Sequence, residues 1–409
     1  SSGARRLWIA VSPSLFHAVG PLAGMSCVMV SVCVAGVGLI PFGKHVERTL
    51  VDMGSEAAYL ALQDAGIEPG RVGLGVFACA AAPRLLGEMT SGQNIFWEVG
   101  INRIPIVNVE NACTSGSTGF VLAYNAIAAG QVDVAIVVGA EKLCMPGVGL
   151  LNSGETELDT QMGMVTPAGF AMRAARYIHV FGASAAQLAS VAVKNRAHAV
   201  LNPYAHFREA VTLEEVLSSP VVADPLTRMQ CCPISDGAAA VVLCSQEEAR
   251  RRRRTVGVKA AILCTGSYDN PADLDRWETD YRGCSQGYEA AGIGPEDLHV
   301  VECHDAFTIA EILHYEALGL CGPGEGANLA VRGETWLGGR IPVNVSGGLI
   351  GRGHPPGATG LAQVHEIVTQ LRGEGGARQV RNAKVGLAHC MGGDKDGDTK
   401  SFTMIVLVS

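Results

Sequence analysis

Two short motifs of the sequence carry side chains suited to nucleophilic catalysis. Cys113 stands in Asn-Ala-Cys-Thr-Ser-Gly, between an apolar segment and an alanine-rich one. A thiol at a helix start lies near the positive end of the helix dipole, so this position predicts a lowered pKa. His354 stands in Gly-His-Pro-Pro-Gly-Ala-Thr-Gly, also before a helical segment, and could hold a thiolate–imidazolium pair with that thiol. The alternatives are a buried structural cysteine and a histidine that only caps a helix.

Two further candidates stand at the ends of strand-like segments. Cys390 lies in His-Cys-Met-Gly-Gly, where a second thiol could move protons while Gly392 offers a backbone N–H. Zinc ligation by His389 together with Cys390 is disfavoured, because adjacent residues on a strand point to opposite faces. His304 lies in Cys-His-Asp-Ala-Phe and could donate an N–H to an oxyanion. An ordinary histidine at a strand end is the alternative.

The elements that must position these side chains form a repeat. One copy runs from residue 104 to 140 and the other from 341 to 393. Each copy has the pattern of a strand, a turn rich in glycine, a helix and a second strand. If the two copies face each other, Cys113 and His354 meet at a pseudo-twofold axis.

The remaining chain alternates short runs of Val, Ile and Ala with alanine-rich helical stretches. Such alternation is typical of an α/β fold with buried, largely parallel sheets. The predicted strands are 28–40, 72–78, 106–109, 132–138 and 298–301, and the predicted helices are 55–65, ending at Gly66, and 115–129.

The composition excludes several classes of protein. Of the 409 residues, 48% are hydrophobic and 17% are charged, which excludes a disordered tail protein. Aromatic residues make up 5% and the formal net charge is −8, which argues against a nucleic-acid partner. The thirteen cysteines contain no Cys-x-x-Cys pair, which argues against a disulfide scaffold and a structural zinc site. We therefore expect reduced thiols and no metal.

Changes in regularity and composition along the chain predict the domain organisation. Residues 145–225 are irregular and rich in proline and glycine, and Arg250–Arg254 follow two glutamates. Five arginines could bind nucleic acid, but a solvated linker fits a net-acidic protein better. The predicted units are a leader (1–27), an N-terminal half (28–144 and 226–249), a loop domain (145–225), a basic linker (250–254) and a C-terminal half (255–409).

The N-terminal segment is unusual in its charge. Residues 7–43 contain no Asp, Glu, Lys or Arg, but prolines and glycines interrupt any single membrane helix. Residues 1–24 carry Arg5 and Arg6, several serines and no acid, a profile typical of an organelle transit peptide. We therefore expect a mitochondrial location, or otherwise a cytoplasmic one, with no membrane span. An extension without a role is the alternative for 1–24.

Together these motifs resemble the thiolase superfamily, over residues 28–409. Ser235-Asp-Gly-Ala-Ala-Ala is similar to the segment that closes the family's N-terminal half. His-Asp-Ala-Phe resembles the sterol-carrier-protein branch, and we expect no appended sterol-carrier domain after the thiolase core. The resemblance implies the thiolase fold: two similar α/β halves with mixed five-stranded sheets, layered α-β-α-β-α, plus an inserted loop domain.

The resemblance also implies an activity, that of an acyl-CoA C-acetyltransferase. Such an enzyme cleaves 3-ketoacyl-CoA, or condenses acetyl-CoA in the reverse Claisen direction, by a ping-pong reaction through an acyl-cysteine. Cys113 would be the nucleophile, His354 its base and Cys390 the acid/base. His304 and His354 would form one oxyanion hole, and the N–H groups of Cys113 and Gly392 the other.

The resemblance carries further expectations and some departures. Met162 and Gly163 match a pair that lines the acyl pocket in relatives. CoA thioesters would be the substrates, with no other cofactor, and the protein would be a homodimer. Ala306 replaces a cysteine that acts as acid/base in the sterol-carrier type, so Cys390 takes that role alone. The alternatives are a ketosynthase-type enzyme, which does not need Cys390, and a weakly active or non-catalytic acyl-CoA-binding protein.

Overall fold

The computed structural model describes residues 31–149, 152, 154, 156–267, 273–395 and 397–409. The predicted leader and the first residues of the predicted strand 28–40 lie outside these ranges. The strands of the described residues are β1 (Val32–Leu39), β2 (Leu74–Ala78), β3 (Ile106–Val109), β4 (Val134–Glu141), β5 (Val221–Ala223), β6 (Leu226–Thr227), β7 (Gly237–Ser245), β8 (Val256–Cys264), β9 (Val300–Glu302), β10 (Val385–Lys395) and β11 (Asp398–Val408).

Helices separate most of these strands. None of those described has the length and hydropathy that a membrane span requires. The α-helices are α1 (Leu50–Ala65), α2 (Ala82–Leu85), α3 (Ser91–Glu98), α4 (Ser115–Ala128), α5 (Leu158–Gln161), α6 (Thr166–Phe181), α7 (Ala185–Val200), α8 (Leu213–Ser218), α9 (Gln246–Ala249), α10 (Glu278–Ala291), α11 (Thr308–Ala317), α12 (Gly326–Val331), α13 (Gly348–Arg352) and α14 (Pro356–Leu371).

Helix α1 illustrates how local signals set the element bounds. It ends at Gly66, as the sequence predicts, and that glycine adopts a left-handed conformation (φ 59°). Its start lies five residues before the predicted one, at Leu50. The Thr49 side chain accepts a hydrogen bond from the Asp52 N–H, and Asp52 accepts one from the Thr49 N–H. This capping box begins the helix, and the sequence prediction overlooked it.

The large sheet is mixed and has the strand order β3-β2-β4-β7-β1-β8-β11-β10-β9. In the N-terminal half, β2 is parallel to β3 and β4, and β7 is antiparallel to β4 and β1. The C-terminal half repeats this pattern, since β9 and β10 are parallel and β11 is antiparallel to β10 and β8. A short antiparallel pairing of β1 with β8 joins the two halves.

The C-terminal half has four described strands where the N-terminal half has five. At the position that corresponds to β3, only Val343 pairs with Val301, as an isolated parallel bridge. Pro342 has no N–H to donate, and Asn344 has a positive φ of 55°, so the chain turns away after one residue pair. The fold class is nevertheless the expected one.

Three hydrophobic cores define the layers. The first lies between α1, α3 and the N-terminal strands, and the third between α10, α11 and the C-terminal strands. The middle core contains α4 and α14, which pack between strands of both halves. The two helices approach closely, because a Cβ atom on Gly116 would lie 2.5 Å from the Gly357 carbonyl oxygen. This close contact brings the turns before the two helices together.

The segment predicted as a loop domain contains α5 to α8 and β5. It shares the third core with the C-terminal half. The Tyr177 hydroxyl donates to Glu316 at 2.6 Å, and the Lys194 ammonium lies 2.6 Å from a Glu311 carboxylate oxygen. Whether this segment is a domain of its own stays a prediction.

The predicted basic linker lies between α9 and β8. Arg251 and Arg252 both pair with Glu248, and Arg254 pairs with Glu374. Glutamates from both halves therefore neutralise much of the positive charge of this arginine segment.

Candidate active site

A strained turn presents Cys113 at the start of α4. The preceding residue, Ala112, has a φ of 46°, a conformation that costs a residue with a Cβ atom about 1–3 kcal/mol. Asn111 holds the turn, since its side-chain amide donates to Thr118 at 2.9 Å and to Ser401 at 2.8 Å. These bonds tie the turn of Cys113 to α4 and to β11, which overcomes the strain and fixes the direction of the thiol.

His354 lies directly opposite this thiol. Its Nε2 atom is 3.3 Å from the Cys113 sulfur, and its Nδ1 atom is 2.7 Å from the Thr359 hydroxyl oxygen. The Thr359 hydroxyl donates its own proton to the Pro355 carbonyl, so it can only accept from the imidazole. Nδ1 therefore carries the hydrogen, and the lone pair of Nε2 faces the thiol. This is the tautomer that a general base requires.

The lowered pKa that the helix start predicts for Cys113 is wrong. Burial, with the charge of Glu141 as a second cause, raises the pKa of Cys113 to about 12. Burial and the nearby Arg352 lower the pKa of His354 to about 3. Because desolvation outweighs the helix dipole here, the thiol and the imidazole are both neutral at rest.

Glu141, at the end of β4, joins the two halves beneath this pair. Its carboxylate accepts the Gly357 N–H at 2.9 Å, the Ala80 N–H at 2.9 Å and the Ala81 N–H at 3.0 Å. The Cys79 thiol donates to it as well, at 3.0 Å. Burial raises the pKa of Glu141 despite these donors. Glu141 was not among the predicted site residues, because its only signal in the sequence is a carboxylate at the end of an apolar strand.

Cys390 and His304 form a second thiol–imidazole pair. The Cys390 sulfur lies 3.3 Å from His304 Nδ1 and 3.2 Å from the Cys113 carbonyl oxygen. Burial raises the pKa of Cys390 and lowers that of His304, so both are neutral. The His304 and His354 rings meet edge to face, with their centroids 5.1 Å apart. All four predicted catalytic side chains thus converge at one place.

Gly392 touches the backbone of Cys113. A Cβ atom at this position would lie 2.9 Å from the Cys113 nitrogen and 3.0 Å from the Thr114 nitrogen, so only glycine fits. The contact brings the two predicted backbone donors of an oxyanion hole, at Cys113 and Gly392, next to each other.

Comparison with known proteins now places the chain. The family model described as "Thiolase, N-terminal domain" matches residues 32–247, and "Thiolase C-terminal domain-like" matches residues 273–405. The chain belongs to the thiolase family. It is an acyltransferase of the thiolase type, and its relatives include proteins of the sterol-carrier-protein branch.

Relatives and solved structures agree with this assignment. The benzoylsuccinyl-CoA thiolase subunit BbsB of Thauera aromatica is 39% identical over 88% of this chain and 94% of its own length. The sterol carrier protein 2 of Homo sapiens is 37% identical over 88% of this chain and 70% of its own. The Ltp2-ChsH2(DUF35) aldolase has a TM-score of 0.80 at 26% identity and covers 93% of this chain and 98% of its own. Human mitochondrial 3-ketoacyl-CoA thiolase shares the fold, with a TM-score of 0.72 at 17% identity over 93% of this chain and 99% of its own.

Buried charges connect the thiolase motifs around the site. The Asp305 carboxylate, next to His304, accepts the Leu349 N–H at 2.7 Å and so caps α13, which leads to His354. Arg352 lies 3.4 Å from Glu302, and both are fully buried. Removal of one partner would leave a buried unpaired charge. In the sequence, Glu302 and Asp305 lie close to His304, and Arg352 lies close to His354. This proximity was the only sequence signal of their role.

Met162 and Gly163 directly follow α5. The Met162 side chain is 79% exposed, and Gly163 has a positive φ of 99°. Among the described residues, no hydrogen bond or ring contact joins this pair to Cys113 or His354. Their place in the acyl pocket stays a prediction.

Proposed function

We propose that this thiolase cleaves 3-ketoacyl-CoA, or condenses acetyl-CoA in the reverse direction, through an acyl group on Cys113. The observation that carries the proposal is the 3.3 Å contact of His354 Nε2 with the Cys113 sulfur, beside a second thiol at Cys390. One thiol can form the covalent intermediate while the other exchanges a proton with the attacking or leaving acetyl unit.

In the cleavage direction, Cys113 attacks the 3-keto carbon and its proton moves to His354 Nε2. The tetrahedral oxyanion accepts hydrogen bonds from the N–H groups of Cys113 and Gly392. The bond between C2 and C3 then breaks, which leaves the acyl group on Cys113 and the enolate of acetyl-CoA. His304 and His354 stabilise the enolate oxygen, and Cys390 gives its proton to the enolate carbon.

In the second half-reaction, the CoA thiol attacks the acyl-Cys113. It gives its proton to the Cys390 thiolate, and His354 returns its proton to the departing Cys113 sulfur. All protons are then back where they started, and the reverse sequence is the Claisen condensation. Every step uses side chains of this chain, so the proposal needs no cofactor beyond the CoA thioesters and no metal.

The decisive experiment is the search for the covalent intermediate. Incubation with acetyl-CoA or acetoacetyl-CoA, followed by intact-protein mass spectrometry, should show one acetyl adduct that maps to Cys113. Cys113→Ala is the control and should show none. A wild-type protein that binds acetyl-CoA without an adduct would instead be a non-catalytic acyl-CoA-binding protein.

The position of β3 supports a homodimer. This strand is one of the two edge strands of the large described sheet and leaves backbone groups without a strand partner, and Val107 on it is 43% exposed. Trp97, on the preceding helix, is 71% exposed. A second copy could cover this face. Light scattering of the purified protein tests the proposal, and a mass of one chain would refute it.

The names of two relatives raise the question of a second subunit. One is called a thiolase subunit, and the name of the other joins Ltp2 to ChsH2(DUF35). Acetylation of the purified chain by acetyl-CoA, with no second protein added, would show that acyl transfer to Cys113 needs no such partner.

For the location, we propose the mitochondrion, or otherwise the cytoplasm. The support is the basic, serine-rich and acid-free composition of residues 1–24. A fluorescent reporter fused behind these residues should enter mitochondria, and a variant with Arg5 and Arg6 changed to Ala should not.

A further inference from the structure

A second cluster of titratable side chains lies beneath the active site. Asp280 on α10, His314 on α11 and His389 on β10 are at most 1% exposed. Asp280 Oδ2 lies 2.6 Å from His314 Nδ1, and Asp280 Oδ1 lies 2.9 Å from His389 Nε2. None of the motifs contributes Asp280 or His314.

Both arms of this cluster end at the second thiol–imidazole pair. On one side, His314 Nε2 lies 3.1 Å from the backbone carbonyl oxygen of His304. On the other, His389 directly precedes Cys390, whose side chain points to the opposite face of β10. Since His304 Nδ1 is 3.3 Å from the Cys390 sulfur, the five residues form a closed ring.

The hydrogen-bond partners determine the protonation of the cluster. The His304 carbonyl only accepts, so His314 Nε2 carries a hydrogen. Despite burial, the two histidines hold the pKa of Asp280 well below its usual range, so its carboxylate is ionised and accepts hydrogen bonds within the cluster. The His314 ring stacks on Trp277, with the ring centroids 5.3 Å apart.

The same side chains are of the kind that binds zinc, but their spacing argues against a metal. Ligand atoms about 2.0–2.1 Å from a tetrahedral zinc ion lie about 3.3 Å from one another. The contacts of Asp280 with His314 and His389, at 2.6 and 2.9 Å, are shorter and have the length of hydrogen bonds.

We propose that Asp280 and His314 are positioning residues for the proton-transfer half of the reaction. They fix the main chain of His304 and so hold its ring against Cys390. Burial lowers the pKa of His304 and the nearby histidines lower it further, which keeps that ring neutral and able to donate to the enolate oxygen. The inference rests on the proposed function, because it assigns the cluster to the step that forms or protonates the enolate.

If Asp280 and His314 act as positioning residues, a substitution of Asp280 should affect the two half-reactions differently. In Asp280→Asn, acetylation of Cys113 by acetyl-CoA should stay within about threefold of wild type, because His354 and the backbone donors are unchanged and CoA can depart as a thiolate before Cys390 protonates it. Exchange of the acetyl-CoA methyl protons with deuterium should fall about tenfold or more, since small misplacements of a reacting group can cost up to about 10²-fold. Equal losses in both assays, or unchanged exchange, would overturn the proposal.

Two variants of His314 separate positioning from simple stability. His314→Gln places an N–H near the former Nε2 and keeps the bond to His304, so exchange should stay within about threefold of wild type. His314→Asn keeps only the donor toward Asp280 and should resemble Asp280→Asn. Equal exchange rates in the two variants would contradict the assignment.

A matched change outside the cluster serves as the control. His365→Gln alters another buried histidine and should leave both half-reactions unchanged. Failure of the wild-type protein to form any acetyl-Cys113 would refute the proposed function instead, so the two failures are distinguishable. A stoichiometric metal that survives dialysis against a chelator would overturn the hydrogen-bond assignment.

Discussion

The two thiol–imidazole pairs of this thiolase differ in origin and in surroundings. Cys113 and His354 come from different halves of the chain, 241 residues apart, and Cys113 remains partly exposed. Cys390 and His304 both come from the C-terminal half, and their exposed fractions are only 1% and 5%. Cys113 of the first pair is therefore open to solvent, whereas both members of the second pair are shielded from bulk water. The comparison suggests a division of labour between covalent chemistry and proton transfer.

The largest expected effect comes from the second thiol. Cys390→Ala removes the proposed acid/base and should lower deuterium exchange of acetyl-CoA by about 10²–10⁴-fold. Acetylation of Cys113 by acetyl-CoA should continue, because the first pair remains intact and CoA can depart as a thiolate without a proton from Cys390. Mass spectrometry of the protein and of the recovered acetyl-CoA measures both. If exchange survives, the two pairs do not divide the reaction in this way.

A smaller effect should follow from loosening the first pair. Thr359→Val removes the acceptor that holds His354 Nδ1–H, and we expect acetylation of Cys113 to slow about tenfold, because both the tautomer and the ring orientation are released. Thr359→Ser keeps the hydroxyl and should stay close to wild type in rapid-quench acetylation assays. Equal rates for the two variants would show that the hydroxyl does not position the base.

The turn before the nucleophile predicts a change in stability. Ala112→Gly relieves the positive φ and should raise the free energy of unfolding by about 1 kcal/mol. Denaturant unfolding followed by circular dichroism measures this change. Ala123→Gly, within α4, serves as the opposite control and should destabilise the protein by about 1 kcal/mol, because helical geometry favours alanine over glycine. A loss of stability in Ala112→Gly would contradict the strained turn.

The last prediction is the absence of an effect, in the pH profile of acetylation. His354, with a pKa of about 3, is neutral and able to accept a proton at any higher pH, and Cys113, with a pKa of about 12, stays a thiol. The single-turnover rate should therefore be flat between about pH 5 and 9. A rise with a midpoint near about 6.5, the ordinary histidine value, would indicate a solvated imidazole and would sink the neutral-pair assignment.

The sequence predicted much of this site because its signals are local. The turn before α4 and the turn before α14 carry their reactive residue, their glycines and their helix start within a few positions. The repeat correctly predicted that Cys113 and His354 face each other. Glu141 and Asp280 carried no such signal, since a lone carboxylate in a strand or helix has many ordinary explanations.

The sequence by itself determined which side chains could react and on which turns they stand. Only the tertiary structure decided their charge states and their partners. The helix dipole at α4 predicted a lowered pKa for Cys113, but burial and Glu141 raise it, because desolvation in a packed interior outweighs a partial charge. Likewise, Asp280, His314 and His389 meet only because α10, α11 and β10 pack together. Contacts between distant segments depend on packing, which no local pattern specifies.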